Sequence, residues 1–210
     1  MSVRNTLYKL FEHKSVQNDY IKLLRISQSE CRKGKKVNMS VGEMRERDLV
    51  SVIMKYMGEE NVVCDDIPGH LTADVIVKGT PISIKHKTVS KPQPDMISSF
   101  KVKWTANAHV AQQHVNDFLG NDWLDDIIVS EIHKNEIHMY FLTALQVQTM
   151  LRLLKQNAFK PISGTSNGRG IEFSDLALNL LKNGSKTVHF SADLTSQLED
   201  PYKKRLDYIM

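Results

Sequence analysis

The chain has 210 residues, 41% hydrophobic and 25% charged, with a formal net charge of +4, enough for one domain with a substantial core and mild enough to permit nucleic-acid binding without requiring it. No run of about 18 apolar residues occurs, and the N-terminus MSVRNTLYKLFEHK lacks the apolar stretch of a signal peptide, which predicts a soluble, cytoplasmic protein with no membrane partner. Cys31 and Cys64 are the only cysteines and stand far apart, which argues against a disulfide framework or a structural zinc site.

From Asn5 to about Arg32, Leu7, Leu10, Phe11, Tyr20, Leu23, Leu24 and Ile26 recur at helical spacing, with a break near Lys14-Ser15. Arg32-Lys33-Gly34-Lys35-Lys36 sets four positive charges around a glycine; a solvated loop and a phosphate-contacting loop fit it equally well. Ser40 with Glu43 makes a capping box, which predicts a helix from Val41 to about Met57 with Glu46 in its second turn. Met39, just before that cap, occupies the place of a hydrophobic staple. Asn61 to Cys64 reads as a short strand, and Asp65 to His70 as turn chemistry.

The chemistry concentrates in Thr72 to Lys87, TADVIVKGTPISIKHK. Asp74-Val75-Ile76-Val77 and Pro81-Ile82-Ser83-Ile84 are β-rich, and Gly79-Thr80 fits a two-residue hairpin loop with glycine first. That loop predicts the pairs Val77 with Ile82, Ile76 with Ser83 and Asp74 with Lys85, leaving Val75, Val77, Ile82 and Ile84 on the core face. Beyond it, Met96 to Lys103 reads as a strand ending at Trp104, Ala106 to Leu119 as a helix, Asp126 to Ile132 and Glu136 to Leu142 as strands joined at Lys134-Asn135, and Thr143 to Gln156 as a helix. A helix from about Ile171 to Lys182, a strand from Lys186 to Ser191 and a short helix from Pro201 to Ile209 complete the pattern.

An aspartate beside a lysine, with a glutamate on a helix just upstream, suits metal-assisted phosphodiester hydrolysis. Mg²⁺ needs only one or two carboxylates and keeps several waters. Asp74 would be the direct ligand and the Ile84 backbone carbonyl a second, with Glu46 binding directly or through water. Lys85 would orient or deprotonate the attacking water. Taken alone, Asp74 and Lys85 fit a salt bridge on a structural hairpin as well. From Pro81 through Lys103 there are five lysines and one acid, so Lys87, Lys91, Lys101 and Lys103, with Lys35 and Lys36 upstream, are candidates for a DNA phosphate track. Ser163, Thr165, Asn167 and Arg169 lie in the polar loop PISGTSNGRG, which can present donors to base edges or serve as a plain connector. His70, His86, His109 and His114 read as surface or phosphate-contacting side chains, since no two histidines share a metal-binding spacing on one helical face.

Asp74, the paired Ser83-Ile84-Lys85 and Glu46 on the preceding helix resemble the PD-(D/E)XK nucleases, and within them the ThaI-type restriction endonucleases, which cut CGCG. No proline precedes Asp74, and Ser83 stands where the second acid of the motif sits, so the resemblance implies that Glu46 supplies the missing carboxylate. It rests on a catalytic core of about 39–104. It implies a single-domain α/β fold over 1–210 with a mixed central sheet flanked by helices, and a prokaryotic type II endonuclease using Mg²⁺ to cut double-stranded DNA to blunt ends as a homodimer, with a DNA methyltransferase as companion. Met39, seven residues before Glu46, would then wedge between base pairs. Two other readings stay open on these residues: a repair or junction-resolving nuclease of the same fold, and a non-catalytic DNA-binding module.

Overall fold

The N-terminal apolar stripe folds as two helices. In the computed structural model, which describes residues 2–34, 38–64, 72–91, 93, 95–105, 107–162, 170–194 and 198–209, α1 (Val3–Glu12) and α2 (Lys14–Lys33) meet at His13, whose extended backbone (φ −79°, ψ 130°) interrupts the helical path. The break thus falls one residue before the expected Lys14-Ser15. α3 (Asn38–Met57) starts before the expected cap: the backbone of Asn38, Met39 and Ser40 is already helical. Ser40 is therefore not an N-cap, which requires non-helical dihedrals, and Met39 belongs to the helix's first turn rather than preceding it.

β1 (Val62–Val63), β2 (Val75–Val77) and β3 (Thr80–Thr88) form an antiparallel edge. β3 runs parallel to β5 (Asp126–His133), which pairs antiparallel with β6 (Glu136–Leu142), and β6 in turn with β8 (Lys186–Ser191), giving a mixed sheet in the order β1-β2-β3-β5-β6-β8. β5 lies in the interior of the sheet, and Ile127 through Ile132 are buried without alternation, as expected for a strand covered on both faces.

One face of the sheet packs against α1, α2 and α3 through Leu7, Phe11, Leu24, Leu49, Ile53, Val75, Ile84 and Phe141. The other packs against α4 (Ala108–Gly120), α5 (Ala144–Leu154) and α6 (Asp175–Gly184) through Val115, Val129, Leu142, Val147, Phe173 and Leu178. Each element alone is amphipathic, and burying a Leu, Ile or Phe side chain in one of these layers contributes about 1.5–3 kcal/mol. Two expectations fail at the second face. Only β4 (Lys101–Lys103) of the expected Met96–Lys103 strand forms, and Ile171-Glu172 is not helical but a short strand, β7, paired with β4. Ile171 and Phe173 are buried while Glu172 is not, a strand alternation; the helix starts after Ser174, whose hydroxyl caps it by accepting from the Ala177 N–H. Among the described residues, no helix is long and apolar enough to cross a membrane.

The C-terminal helix α7 (Pro201–Ile209) lies on α2, packs Tyr208 against the core and adds an ionic contact to the helical layer. Arg205 donates to both Glu30 oxygens (2.9 and 3.0 Å), to Asp48 Oδ1 (3.3 Å) and to the Ser27 hydroxyl (2.8 Å). Glu30 and Asp48 are only 4% and 1% exposed. Burial pushes the Asp48 carboxyl up to about 6 against the pull of Ser27 and Arg205. Removing the guanidinium leaves two buried carboxylates uncompensated, so Arg205→Ala should cost about 3–5 kcal/mol in urea denaturation; a loss below about 1 kcal/mol would mean that water screens the cluster.

Candidate active site

The β2–β3 turn sets the site. Lys78 and Gly79 both have positive φ (46° and 76°), the signature of a two-residue type I′ turn whose twist matches the strands it joins. The observed pairs are Val77 with Thr80, Ile76 with Pro81 and Val75 with Ile82, two residues away from the expected register. A shift of two preserves which side chains face the core, so Val75, Val77, Ile82 and Ile84 are buried as expected. It does change Asp74, which continues the ladder opposite Ser83 instead of Lys85.

Lys85 still reaches Asp74. Its Nζ lies 3.2 Å from Asp74 Oδ2, a diagonal span that a long side chain covers easily. The same oxygen accepts the Ile84 N–H (2.6 Å) and the Ser83 hydroxyl (3.3 Å). Among the described residues Oδ1 accepts no hydrogen bond, so Asp74 is oriented through one oxygen and keeps the other. Within a strand a residue's N–H and C=O point to the same side; since the Ile84 N–H points at Asp74, its carbonyl faces the same edge.

Glu46 enters from α3. It lines, with Asp74 and Lys85, one cleft of about 700 Å³ walled by Gly42, Ser99, Lys101 and Trp104. Burial raises its carboxyl to about 7, the neighbouring Asp74 charge adds to the rise, and Lys85 opposes it. Two carboxylates held together in a half-buried cleft repel one another, and an added cation relieves that repulsion. Two carboxylates with a backbone carbonyl form an all-oxygen donor set, the kind a hard divalent cation takes.

The basic candidates divide. Lys87, Lys101 and Lys103 line the cleft. Lys87 donates to the Ser99 carbonyl, and Lys101 pairs with Glu172 at 2.5 Å. Burial lowers the pKa of Lys103. Lys91 is exposed and does not line the cleft. Lys35, Lys36, Ser163, Thr165, Asn167 and Arg169 lie outside the described residues, as does the side chain of Met39. His86 lines the cleft and is part-buried; its ring packs on Tyr20, with Nδ1 3.4 Å from the Tyr20 hydroxyl, and burial together with the Arg45 charge holds its pKa down at about 3.

Two cleft residues escape sequence reasoning. Glu172 sits on β7, accepts from Ser99 and Lys101 and forms an ion pair with Lys160; burial alone would raise its pKa, but the Lys101 and Ser99 hydrogen bonds hold it below the ordinary value. The alternation Ile171-Glu172-Phe173 before Ser174 was the available signal. Trp104 is 62% exposed at the rim, its ring centroid 5.7 Å from the Lys101 ammonium, a cation–π contact.

Comparison with known proteins gives two findings. The sequence model of the family described as "Restriction endonuclease ThaI" matches residues 9–204. A solved structure described as "Restriction endonuclease in complex with substrate DNA" superposes with a TM-score of 0.72 at 26% sequence identity, covering 96% of this chain and 97% of that one. No match was found among curated proteins.

The raised Glu46 pKa makes stability depend on pH. A carboxyl that holds its proton more tightly when folded stabilises fully below its ordinary value near 4.5, and that contribution is lost as pH rises through about 7. In the metal-free protein Asp48 adds to this slope while the lowered pKa of His86 opposes it, so the Glu46 share is read as a difference: relative to the parent, Glu46→Gln should shift the stability difference between pH 5 and pH 8 by on the order of 1–3 kcal/mol in favour of the higher pH. Thermal melts across that range test it; a Glu46→Gln protein with the parental slope would place the carboxylate in solvent.

Proposed function

The chain belongs to the ThaI family of restriction endonucleases, type II site-specific DNA nucleases, and on that premise we propose that it hydrolyses both strands of double-stranded DNA at CGCG, leaving blunt ends, in a Mg²⁺-dependent reaction. The observation that carries the proposal is the meeting of Glu46, Asp74 and Lys85 in one cleft. Asp74 and Glu46, with the Ile84 carbonyl, would hold the ion. When bound, the ion supplies Lewis-acid polarisation of the phosphate and a lowered pKa for water.

The chain's own groups do the rest. Asp74, fixed by the Ile84 N–H, places one carboxylate oxygen at the strand edge. Lys85 presents its ammonium beside that oxygen, where it aligns the attacking water and stabilises charge growing on the phosphate oxygens in the transition state. Ser83 is buried (1% exposed) and donates to Asp74; its hydroxyl positions the aspartate and replaces no metal ligand. Lys87, Lys101 and Lys103 on the cleft wall, with Lys35, Lys36 and Lys91, form the phosphate track, and Ser163, Thr165, Asn167 and Arg169 are assigned to base reading.

A palindromic site calls for a two-fold protein, so the working form is a homodimer of single-domain subunits, each cutting one strand, with a methyltransferase protecting host DNA. Met39, in the first turn of α3, is assigned to a wedge at the CG steps, since an unbranched apolar side chain can enter a pyrimidine–purine step and two such steps are related by the dimer axis.

A plasmid carrying CGCG should yield discrete blunt fragments with Mg²⁺. Nicking or smearing would point to another kind of nuclease. Asp74→Ala and Lys85→Ala should each lower cleavage by roughly a hundredfold or more while leaving DNA binding largely intact, because binding rests on phosphate contacts elsewhere. Near-parental cutting by either variant would remove the hairpin from the mechanism. Met39→Ala should weaken specific binding and cutting with an unchanged melting temperature; the reverse pattern would make Met39 a packing residue.

A further inference from the structure

Three ligand-type side chains meet at the β6–β8 end of the sheet, on the same face as the cleft but two strands away from its Lys87. His138 on β6 and His189 on β8 are directly opposite in the antiparallel ladder, and Glu136 stands two residues before His138 on the same strand, hence on the same face. The imidazoles stack with centroids 4.2 Å apart and planes 16° from parallel. Nε2 of His138 lies 3.8 Å from Glu136 Oε2, and Nε2 of His189 lies 3.8 Å from Oε1. One ligand atom from each of the three residues falls within 4.8 Å of the others, the one such group of three among the described residues.

These separations are too long for hydrogen bonds. Nε2 of His138 is buried and has no hydrogen-bond partner, and a buried ring nitrogen left unpaired needs an explanation. Behind it lies more negative charge: Glu131, 1% exposed, is the cross-strand neighbour of His138 on β5. Two imidazoles flanked by two carboxylates attract a divalent cation.

We propose that Glu136, His138 and His189 bind a transition-metal ion of the Zn²⁺ class that ties β6 to the edge strand β8. Two imidazoles and one carboxylate are a three-ligand zinc set that keeps a fourth position for water; imidazole suits Zn²⁺, Ni²⁺ or Cu²⁺ and not Mg²⁺. Bonds of about 2.0–2.2 Å put tetrahedral ligand atoms roughly 3.4 Å apart, so the observed 3.8 Å closes by side-chain rotation as the rings tilt out of their stack. The strands need not move. This site is separate from the cleft carboxylates, which lie on β2 and α3, and it does not rest on how the cleft cuts DNA.

The test is to titrate ZnCl₂, and CoCl₂ as a visible probe, into the full-length protein in excess MgCl₂, which occupies the cleft. The parent should bind one equivalent, show the visible bands of an imidazole-ligated Co²⁺, and melt at a higher temperature with Zn²⁺. His189 and Glu136 are about half exposed, so His189→Gln and Glu136→Gln keep the fold, which far-UV circular dichroism checks. Each should bind at least about tenfold more weakly and lose the Zn²⁺-induced rise in melting temperature. Unchanged binding in both variants, or no Zn²⁺ binding by the parent under excess Mg²⁺, would overturn the proposal.

Discussion

Glu46 can serve the cleft only while α3 keeps one rotation and one height against the sheet, and the contact that fixes both is the half-buried Arg205 guanidinium between the buried Glu30 of α2 and Asp48 of α3. Asp48 follows Glu46 by two residues, about 200° around the helix, so the clamp and the cleft carboxylate occupy opposite sides of α3. A pin on one side locates the other. Leu49, Val52 and Ile53, all at 0% exposure, supply apolar burial between them, but apolar burial is non-directional and would tolerate a helix turned by part of a residue. The forked geometry of the guanidinium would not.

Fixing α3 in this way brings two carboxylates together against their own repulsion. The folded chain accepts that strain at the site and is held by the core elsewhere, the expected signature of a functional site rather than a stabilising one. The walls show the opposite design. Glu172 is matched by Lys101, Lys160 and Ser99, and Thr72, where the described chain resumes before β2, is tied to Asp125 by a short hydrogen bond. Where Glu46 and Asp74 meet, two carboxylates share the charge of Lys85.

Much of this was legible in the sequence, and the failures share a cause. Helices and strands with a strong apolar period, α2, α5, β5, β6 and β8, fall close to where periodicity puts them. The hairpin faces were right although the register was off by two, because parity survives such a shift; composition could not decide whether Gly79 is the first or the second turn residue. Glu46, Asp74 and Lys85 were named from their types and order, and the fold does bring them to one cleft. Glu172 and Trp104 were missed because β4 and β7 are three and two residues long, too short for a period to show and stable only through each other. The histidine cluster was missed for a related reason: helical spacing was the test applied, whereas His138 and His189 are 51 positions apart in sequence and meet through the β6–β8 register.

The central claim is that Glu46 of α3 and Asp74 of the hairpin act on one ion. Calorimetric titration of Mg²⁺ into the parent, Glu46→Gln, Asp74→Asn and the double variant measures this directly. If both carboxylates hold the same ion, each single variant loses Mg²⁺ binding to the same extent as the double, because a shared site fails when either donor is removed. Parental Mg²⁺ affinity in Glu46→Gln, with binding lost only in Asp74→Asn, would contradict the account and leave the helix glutamate without a part in the site.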